Sequence, residues 1–271
     1  MKLRLRTRHP SCRNLLSNIQ VRGRAVYRHG SVTDTTHPKE INSVQSVLNS
    51  KDKLKMKQLF NGKHNPDFYY WDTNEDMWCD GKPEPTFYAD ENLLEHISFP
   101  VLTKLQYRSR GQGMNIHRDS ASLQEQFADI KRRATRGGNL KYIERYHNYG
   151  KEYGIHVALD ECVYACRKAR LQDRHEYYRN DSNSCWYTQF DNQGNLKEDF
   201  KQPENWEAII TECNRLRKLI GLDITRMDVI VASNGRFKIL ECNSAPSIAE
   251  GTAAHYSLAL PKIINQKYHV Q

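Results

Sequence analysis

The chain has 271 residues, of which 41 are Lys or Arg and 32 are Asp or Glu, so its formal net charge is +9. This length suggests one large domain or two smaller ones, and either can bury a core without disulfides or structural metal. No run approaches the roughly 20 apolar residues that a membrane span needs, and no apolar segment follows the basic N-terminus. The sequence therefore predicts neither a membrane span nor a secretory signal. Seven irregularly spaced cysteines favour reduced thiols in a cytoplasmic setting.

The positive charge is spread along the chain, apart from the basic runs at 51–57 and 131–133. A basic surface neutralises phosphates, so a nucleic-acid-associated protein is one interpretation. A solvated basic surface and a site for a polyphosphate are two others.

The first hundred residues give few regular signals. Two short strand-like runs precede a helix predicted over 41–60, where apolar residues follow helical spacing. The stretch 65–85 is rich in Asp, Pro and Trp without a regular period, which predicts an irregular loop or a poorly regular strand region. A short helix over 93–97 is expected to end before Pro100.

The rest of the chain alternates predicted strands and helices. The strands are 100–105, 115–117, 142–146, 154–159, 162–166, 227–231 and 237–242, and the helices are 123–133, 206–220 and 252–260. Gly221 follows one helix where a C-cap glycine is expected, and the last helix is expected to end before Pro261. Asn234-Gly235 predicts a hairpin between the last two strands. Hairpins indicate antiparallel sheets, so the predicted fold class is α+β with more than one sheet.

The last hairpin carries the most informative polar side chains. Asp228 lies in one strand, and Glu241 and Asn243 lie at the end of its partner, on one face. Because positions 228 and 241 are nearly symmetric about the turn, we expect the three side chains to converge. Two carboxylates and an amide oxygen suit Mg²⁺, which completes its shell with water and substrate phosphates. A hairpin with polar strand ends is the alternative.

Other polar features precede this hairpin. The loop 108–114 combines arginines with glycines that let backbone N–H groups approach an anion, but it matches neither a P-loop nor a Rossmann fingerprint. An ordinary turn is its alternative. Glu144 and Glu152 can accept hydrogen bonds from an exocyclic amine and ribose hydroxyls, or they are solvated strand-edge charges. A cation cluster suited to phosphate, or alternatively an exposed edge strand, follows at Arg167, Lys168 and Arg170.

Three segments carry a family resemblance. Residues 240–247 (LECNSAPS) are similar to a metal-binding E-x-N-x-x-P segment, 221–228 (GLDITRMD) to a strand G-L-D-x-x-x-x-D, and 151–157 (KEYGIHV) to E-Y-R-V-H-V. Together, and in this order, they resemble the ATP-grasp ligases, in the carboxylate–amine ligase branch that includes glutamate-adding and phage-encoded proteins. The resemblance covers residues 20–260 and is loose before residue 99.

The resemblance implies an ATP-grasp fold, in which two α+β lobes grip ATP between antiparallel sheets after a small α/β N-terminal domain. It places that first domain at 1–98 and the ATP-grasp domain at 99–271. Within the latter, a lid lobe with the glycine loop is expected at 99–140 and a C-terminal lobe with the metal site at 141–271.

The resemblance also implies a reaction. The γ-phosphoryl group of ATP activates a carboxylate as an acyl phosphate, an amine attacks it, and ADP is released. Asp228, Glu241 and Asn243 would hold one or two Mg²⁺ or Mn²⁺ ions. The residues implied for catalysis, which neutralise phosphate charge, are Lys168, Arg167 and Arg226. Those implied for ATP binding are Lys104, Arg110, Gly111, Gly113, Glu144, Tyr146 and Glu152.

One position departs from the family pattern, because Gly154 stands where an arginine is expected. This bears on the substrate class more than on ATP binding, and Arg226 and His156 are the residues that can supply the missing cation. The sequence does not specify the carboxylate or the amine, and a nucleic acid or a ribosomal protein is an alternative acceptor. A basic nucleic-acid-associated protein without catalysis is the other class of function. The expected location is the cytoplasm, with a phage-infected bacterial cell as one setting.

Overall fold

The computed structural model describes residues 3–7, 15, 25–33, 37–108, 111–147, 150–170, 184–191 and 195–268. The chain forms two compact units: unit 1 comprises 1–51, 150–169 and 185–271, and unit 2 comprises 52–149 and 170–184. The strands are β1 (Leu3–Thr7), β2 (Ala25–His29), β3 (Glu40–Ile41), β4 (Phe68–Asp72), β5 (Met77–Cys79), β6 (Phe87–Tyr88), β7 (Val101–Leu105), β8 (Asn115–His117), β9 (Lys141–Arg145), β10 (Lys151–Ala158), β11 (Glu161–Arg170), β12 (Ser184–Thr188), β13 (Ile224–Val231) and β14 (Phe237–Asn243). The helices are α1 (Val44–Lys51), α2 (Lys53–Phe60), α3 (Asp90–His96), α4 (Ser120–Gln124), α5 (Phe127–Arg136), α6 (Trp206–Ile220) and α7 (Glu250–Tyr268).

Unit 1 contains two sheets. In the smaller one, β1, β2 and β3 pair in parallel. The larger one has the order β12-β11-β10-β13-β14, and β10 pairs antiparallel with both β11 and β13. Helix α6 also belongs to this unit. It is capped by Gly221, which has a left-handed backbone conformation and whose N–H donates to the carbonyls of Arg217 and Lys218.

The larger sheet of unit 1 has two different faces. On one face, Tyr153 of β10 packs edge-on against Trp206 of α6, with 6.1 Å between ring centroids. On the opposite face, Ala158 and Ile224 belong to a buried cluster that includes Tyr256 of α7. Since side chains alternate along a strand, residues 152, 154 and 156 share this second face with Ala158. The part of it beyond the α7 cluster carries the polar side chains described below.

Unit 2 is built on a sheet with the order β6-β5-β4-β9-β7-β8, in which each neighbouring pair of strands is antiparallel. Helices α3 and α5 cover one face, where Leu93, Phe127 and Ile130 are buried with Trp71 and Trp78. The rings of Trp78 and Phe127 lie 4.6 Å apart between centroids. Antiparallel sheets and helices in both units confirm the predicted α+β class.

The unit boundaries follow from strand pairing. Strand β4 pairs with β9 through Phe68 opposite Glu144, so residues after 51 belong to the same sheet as β7 and β9. Strand β10 instead pairs with β13. The structure divides the chain at 51/52, 149/150, 169/170 and 184/185, whereas the boundaries expected from the sequence are 98/99 and 140/141.

Most predicted elements after residue 99 are confirmed, and two of the predicted helices are each divided in the structure. The helix predicted over 41–60 is two helices, because Asp52 interrupts it and its side chain caps α2 by accepting from the Lys55 N–H. Of the two alternatives for 65–85, the structure supports the strand region, since this stretch contains β4 and β5. Helix 123–133 is likewise two helices, α4 and α5.

The last helix was predicted to end before Pro261, but α7 continues through it to Tyr268. Proline removes one N–H donor from a helix and crowds the preceding turn. Burial on the far side of the proline offsets this cost, because Ile263 and Ile264 are buried in the same cluster as Tyr27 and Ile41.

Candidate active site

Four residues form a row across the larger sheet of unit 1. Cys166 of β11 lies opposite Gly154 of β10, Gly154 opposite Asp228 of β13, and Asp228 opposite Glu241 of β14. Directly paired residues on antiparallel strands project to the same face. The pairing of Asp228 with Glu241 is the predicted one, and it is reached through a register irregularity, because the neighbouring pair towards the turn is Val229 with Ile239.

Asn243 and Arg226 complete this arrangement. The Asn243 amide nitrogen donates to Asp228 Oδ2 at 3.0 Å and to Glu241 Oε1 at 3.2 Å. Arg226 donates from Nε to Asp228 Oδ1 at 2.9 Å and from Nη2 to Asp228 Oδ2 at 3.1 Å. A two-point pair between guanidinium and carboxylate fixes the orientation of both groups. In this arrangement the amide nitrogen of Asn243, not its oxygen, faces the carboxylates.

The row concentrates negative charge in a largely buried place. Burial raises the pKa of Asp228 to about 7, and the nearby carboxylates of Glu241 and Glu152 add to the shift while Arg226 opposes it. A site that resists ionisation of its own carboxyl group gains from a bound cation. Two carboxylates and an amide are a donor set that fits Mg²⁺, which uses few protein ligands and keeps positions for water and phosphate oxygens.

Within the described ranges, no group of three or more His, Cys, Asp or Glu side chains could hold a metal ion. The donor set with two carboxylates therefore depends on Asn243 or on ligands from outside the protein. This composition is typical of a metal that arrives with a phosphorylated substrate rather than of a closed structural site.

Of the two residues that could supply the cation missing at position 154, the structure brings only Arg226 to Asp228. His156 lies opposite Arg226 on β10. Its Nδ1 is hydrogen-bonded to the hydroxyl of Tyr256 at 2.8 Å, and its side chain is buried against α7. Burial lowers the pKa of His156, and the positive charge of Arg226 adds to the shift, so this imidazole is neutral near pH 7.

The cations at the end of β11 point to opposite faces of the sheet. Lys168 lies opposite Glu152, two residues from Cys166, and shares the face of the row. Arg167 lies opposite Tyr153 and so shares the face that α6 covers. Its guanidinium sits over the ring of Tyr187, 4.7 Å from the centroid. The structure therefore places Lys168, but not Arg167, on the face that carries Asp228 and Glu241.

In unit 2, Glu144 of β9 forms ion pairs with two lysines. Its Oε1 lies 2.5 Å from the Lys104 ammonium and its Oε2 lies 2.6 Å from the Lys57 ammonium. Glu144 and Lys57 are each only 1% exposed in their side chains, whereas Lys104 is 16% exposed. Lys104 is therefore the member of this triad that has access to a ligand.

The environment of the triad shifts the pKa of its carboxyl group and of one of its lysines. Burial alone would raise the pKa of Glu144, but Lys104 and Lys57 lower it to about 2. Burial lowers the pKa of Lys104 to about 8, and the positive charges of Lys57 and Lys53 add to this effect against the opposing charge of Glu144. Glu144 is ionised at neutral pH, and Lys104 is held close to its titration range.

Sequence reasoning missed Lys57, which it treated as one member of a basic run. A signal was present, because Lys57 lies three residues after Leu54 and three before Phe60 on the buried side of α2. A lysine at an apolar-face position of a helix indicates a buried partner.

The other residues implied for nucleotide binding have mixed outcomes. Gly111 and Gly113 lie between β7 and β8, as predicted for the glycine loop. Arg110 lies outside the described residues. Tyr146 is buried, and its backbone N–H donates to the carbonyl of Pro100 at 3.1 Å.

Residues 80–178 match the family model described as the carbamoyl-phosphate synthase L chain, ATP binding domain. The structure is similar to D-alanine–D-alanine ligase from Bacillus anthracis, with a TM-score of 0.63 and 13% sequence identity over 97% of this chain and 93% of that one. The same enzyme complexed with ATP gives a TM-score of 0.58 at 12% identity, over the same shares of both chains. The ATP-grasp ligase PsnB, complexed with a minimal precursor, gives a TM-score of 0.54 at 13% identity over 88% of this chain and 78% of that one. The chain has the ATP-grasp fold. Among curated proteins, none matches the sequence significantly.

The ATP-grasp resemblance drawn from the sequence is thus confirmed, and the similar structures are those of ligases. The alternative of a nucleic-acid-associated protein gains no support from these similarities. None of the helices described is both long and apolar enough to span a membrane.

Proposed function

We propose that this ATP-grasp chain is an ATP-dependent carboxylate–amine ligase, which forms an amide bond through an acyl phosphate and releases ADP. The observation that carries the proposal is the pairing of Asp228 with Glu241, bridged by Asn243 and flanked by Arg226, on one face of an ATP-grasp sheet. The similar structures supply the reaction class, since they include D-alanine–D-alanine ligase and the ligase PsnB.

Asp228 and Glu241 would hold one or two Mg²⁺ or Mn²⁺ ions, and the oxygen of Asn243 would join them after rotation of its amide group. When bound, the metal neutralises phosphate charge in phosphoryl transfer, which is catalysed mainly by positioning and electrostatics. The raised pKa of Asp228 supports this role, because a bound cation removes the repulsion that disfavours its ionised form.

The remaining roles are assigned to side chains by charge and access. Arg226 would contact the anionic reacting group, because its guanidinium already lies against the row. Lys168 would neutralise phosphate oxygens from the same face. In unit 2, Lys104 would bind a phosphate or the base of ATP, and the loop with Gly111 and Gly113 would close over the nucleotide.

The two carboxylates of the nucleotide group have different roles in this proposal. Glu144 is enclosed by two lysines, so it would act on the nucleotide through Lys104. Glu152, in unit 1, is the member of the pair left to accept hydrogen bonds from adenosine. The five described free cysteines support a reducing, cytoplasmic setting.

The test is a search for acceptor-dependent ADP release. The protein is incubated with MgATP and combinations of amino acids, short peptides and amines, and the active acid is then labelled with ¹⁸O in its carboxylate. An acyl phosphate transfers one ¹⁸O to inorganic phosphate, because the amine displaces phosphate together with a carboxylate oxygen. Label transfer that is lost in Asp228→Asn and kept in Asp199→Asn, at an exposed carboxylate of the same unit, supports the proposal. ADP release without label transfer contradicts it.

A further inference from the structure

Gly154 is the second residue of the row, between Cys166 and Asp228, and it is buried. Its φ lies outside the range that disfavours other residues. The backbone therefore does not require glycine here. What limits the position is space, because a Cβ at Gly154 would lie 3.0 Å from Cys166 Sγ and 3.1 Å from Arg226 Cδ.

The space above Gly154 holds the aliphatic part of the Arg226 side chain. Arg226 is rooted two residues before Asp228 on β13, and its Nε would lie 3.6 Å from the added Cβ. Its side chain is 20% exposed, and both Nε and Nη2 donate to Asp228. The stem of Arg226 thus crosses the bare backbone of β10 on its way to the carboxylate.

We propose that Gly154 is a positioning residue. The absence of a side chain at 154 lets the Arg226 guanidinium form its two-point ion pair with Asp228. The catalytic consequence rests on the proposed ligase function, whereas the positioning itself does not. Position 154 thus carries no cation of its own, and the guanidinium at the row is that of Arg226 on β13.

A methyl group at 154 meets neighbours on two sides. Real Cβ atoms rarely approach other heavy atoms as closely as 3.0 to 3.1 Å, so Cys166 or Arg226 must move by a few tenths of an ångström. A packed interior resists such shifts. Because Arg226 is held by directional hydrogen bonds, movement of its stem changes the angle at which the guanidinium meets Asp228.

The first test reads the guanidinium directly. In ¹⁵N-labelled protein, the Arg226 Nε–H resonance is assigned by its loss in Arg226→Lys. We expect Gly154→Ala to shift this resonance and to speed its exchange with water. The matched control is Gly251→Ala in the same unit, where an added Cβ meets nothing closer than 3.5 Å. An Arg226 resonance that is identical in Gly154→Ala and wild type overturns the proposal.

The second test is a double-mutant cycle of stability, which can be measured even if Gly154→Ala is destabilised. The loss in denaturation midpoint caused by Gly154→Ala is measured in the wild type and in the Arg226→Ala background. We expect a smaller loss in the background without the arginine stem, because residues in contact are not additive. Additive losses overturn the proposal.

The third measurement separates this inference from the proposed function. In a turnover assay, Gly154→Ala is expected to lower kcat about tenfold or more with the KM for ATP little changed, since small displacements of an oriented group cost catalysis. If the wild type shows no ligase activity while the resonance shift and the coupling are present, the function fails and the positioning stands. If kcat is unchanged while the wild type is active, the catalytic consequence is overturned.

Discussion

Asp228 and Glu241 are direct register partners on antiparallel strands, and one amide group, that of Asn243, donates to both carboxylates. Two acidic side chains placed opposite each other repel, so such a pair is unfavourable in a sheet without a compensating group. Here the compensation comes from Asn243 and from the two-point ion pair of Arg226 with Asp228. The two carboxylates are therefore held together despite their mutual repulsion, as expected for a site that binds a cation.

The buried ion-pair triad of unit 2 leads to a stability prediction. Glu144→Gln leaves the ammonium of Lys57 buried without its counter-charge, so we expect the free energy of unfolding to fall by about 3–5 kcal/mol. Lys57→Met is expected to cost less, because Glu144 keeps Lys104 as its partner. Urea unfolding at neutral pH measures both, with Glu95→Gln at an exposed position as the control. Equal losses in the two variants would contradict the assignment of Glu144 as the shared counter-ion.

The same carboxylate predicts a pH dependence of stability. The pKa of Glu144 is lowered from 4.5 to about 2 in the folded protein, so its ionised form stabilises the fold above the unfolded pKa. That contribution is lost as the pH falls from 4.5 towards 2. We therefore expect the difference in unfolding free energy between wild type and Glu144→Gln to shrink over this window. A difference that stays constant down to pH 2 would show that the ion pairs do not stabilise the fold.

Lys104 predicts how nucleotide binding depends on pH. Its ammonium attracts phosphate only when protonated, and burial lowers its pKa from 10.5 to about 8. We expect the affinity for ATP to fall as the pH rises through about 8, well before an ordinary lysine would titrate. Binding titrations across this range measure the effect. Lys104→Met should bind ATP more weakly and lack this step; a step of the same size in the variant would assign it to another group.

Gly150 predicts a backbone effect at the start of β10. Its φ is +86°, and a Cβ there would lie 1.8 Å from the carbonyl oxygen of Val231, which cannot move without disturbing β13. Gly137 has a φ of +70° but nothing within 4 Å of its added Cβ. With a ψ of 174°, Gly137 lies in a backbone region that is essentially restricted to glycine. We expect Gly137→Ala to cost about 1–3 kcal/mol from this backbone strain alone, and Gly150→Ala to cost clearly more. Thermal unfolding of both variants measures the loss of stability. A similar loss in Gly137→Ala and Gly150→Ala would rule out the steric contact.

Local signals were sufficient for the hairpin that carries Asp228 and Glu241. The Asn-Gly turn predicts the hairpin and the approximate pairing. The exact pairing also depends on a register irregularity between Asp228 and Val229, because Val229 pairs with Ile239 while Asp228 pairs with Glu241. This irregularity brings Glu241 to the same face as Asp228. Helix α6 was predicted with its bounds because its apolar stripe and its glycine cap agree. Where the pattern is local and the cap or turn is specific, sequence and structure coincide.

Features that depend on distant partners were not predictable. The β4 strand is followed and preceded by polar and turn residues, and it forms because Phe68 and Tyr69 pair with β9. Lys57 and Glu144 meet only once α2 lies beside that sheet. The side on which Arg167 lies is set by the register of β11 with β10, which the spacing of the cations alone does not give. Helix α7 passes Pro261 because its far end is buried in the core of unit 1.

The central claim is that Asp228 and Glu241 bind nucleotide through a divalent metal. The most direct measurement is a calorimetric titration of a non-hydrolysable ATP analogue, with and without Mg²⁺, into wild type, Asp228→Asn and the exposed control Asp199→Asn. We predict binding that Mg²⁺ strengthens in wild type and Asp199→Asn, and that Mg²⁺ does not strengthen in Asp228→Asn. Binding of the analogue that is equally strong with and without metal, or equally metal-dependent in Asp228→Asn, would contradict the account.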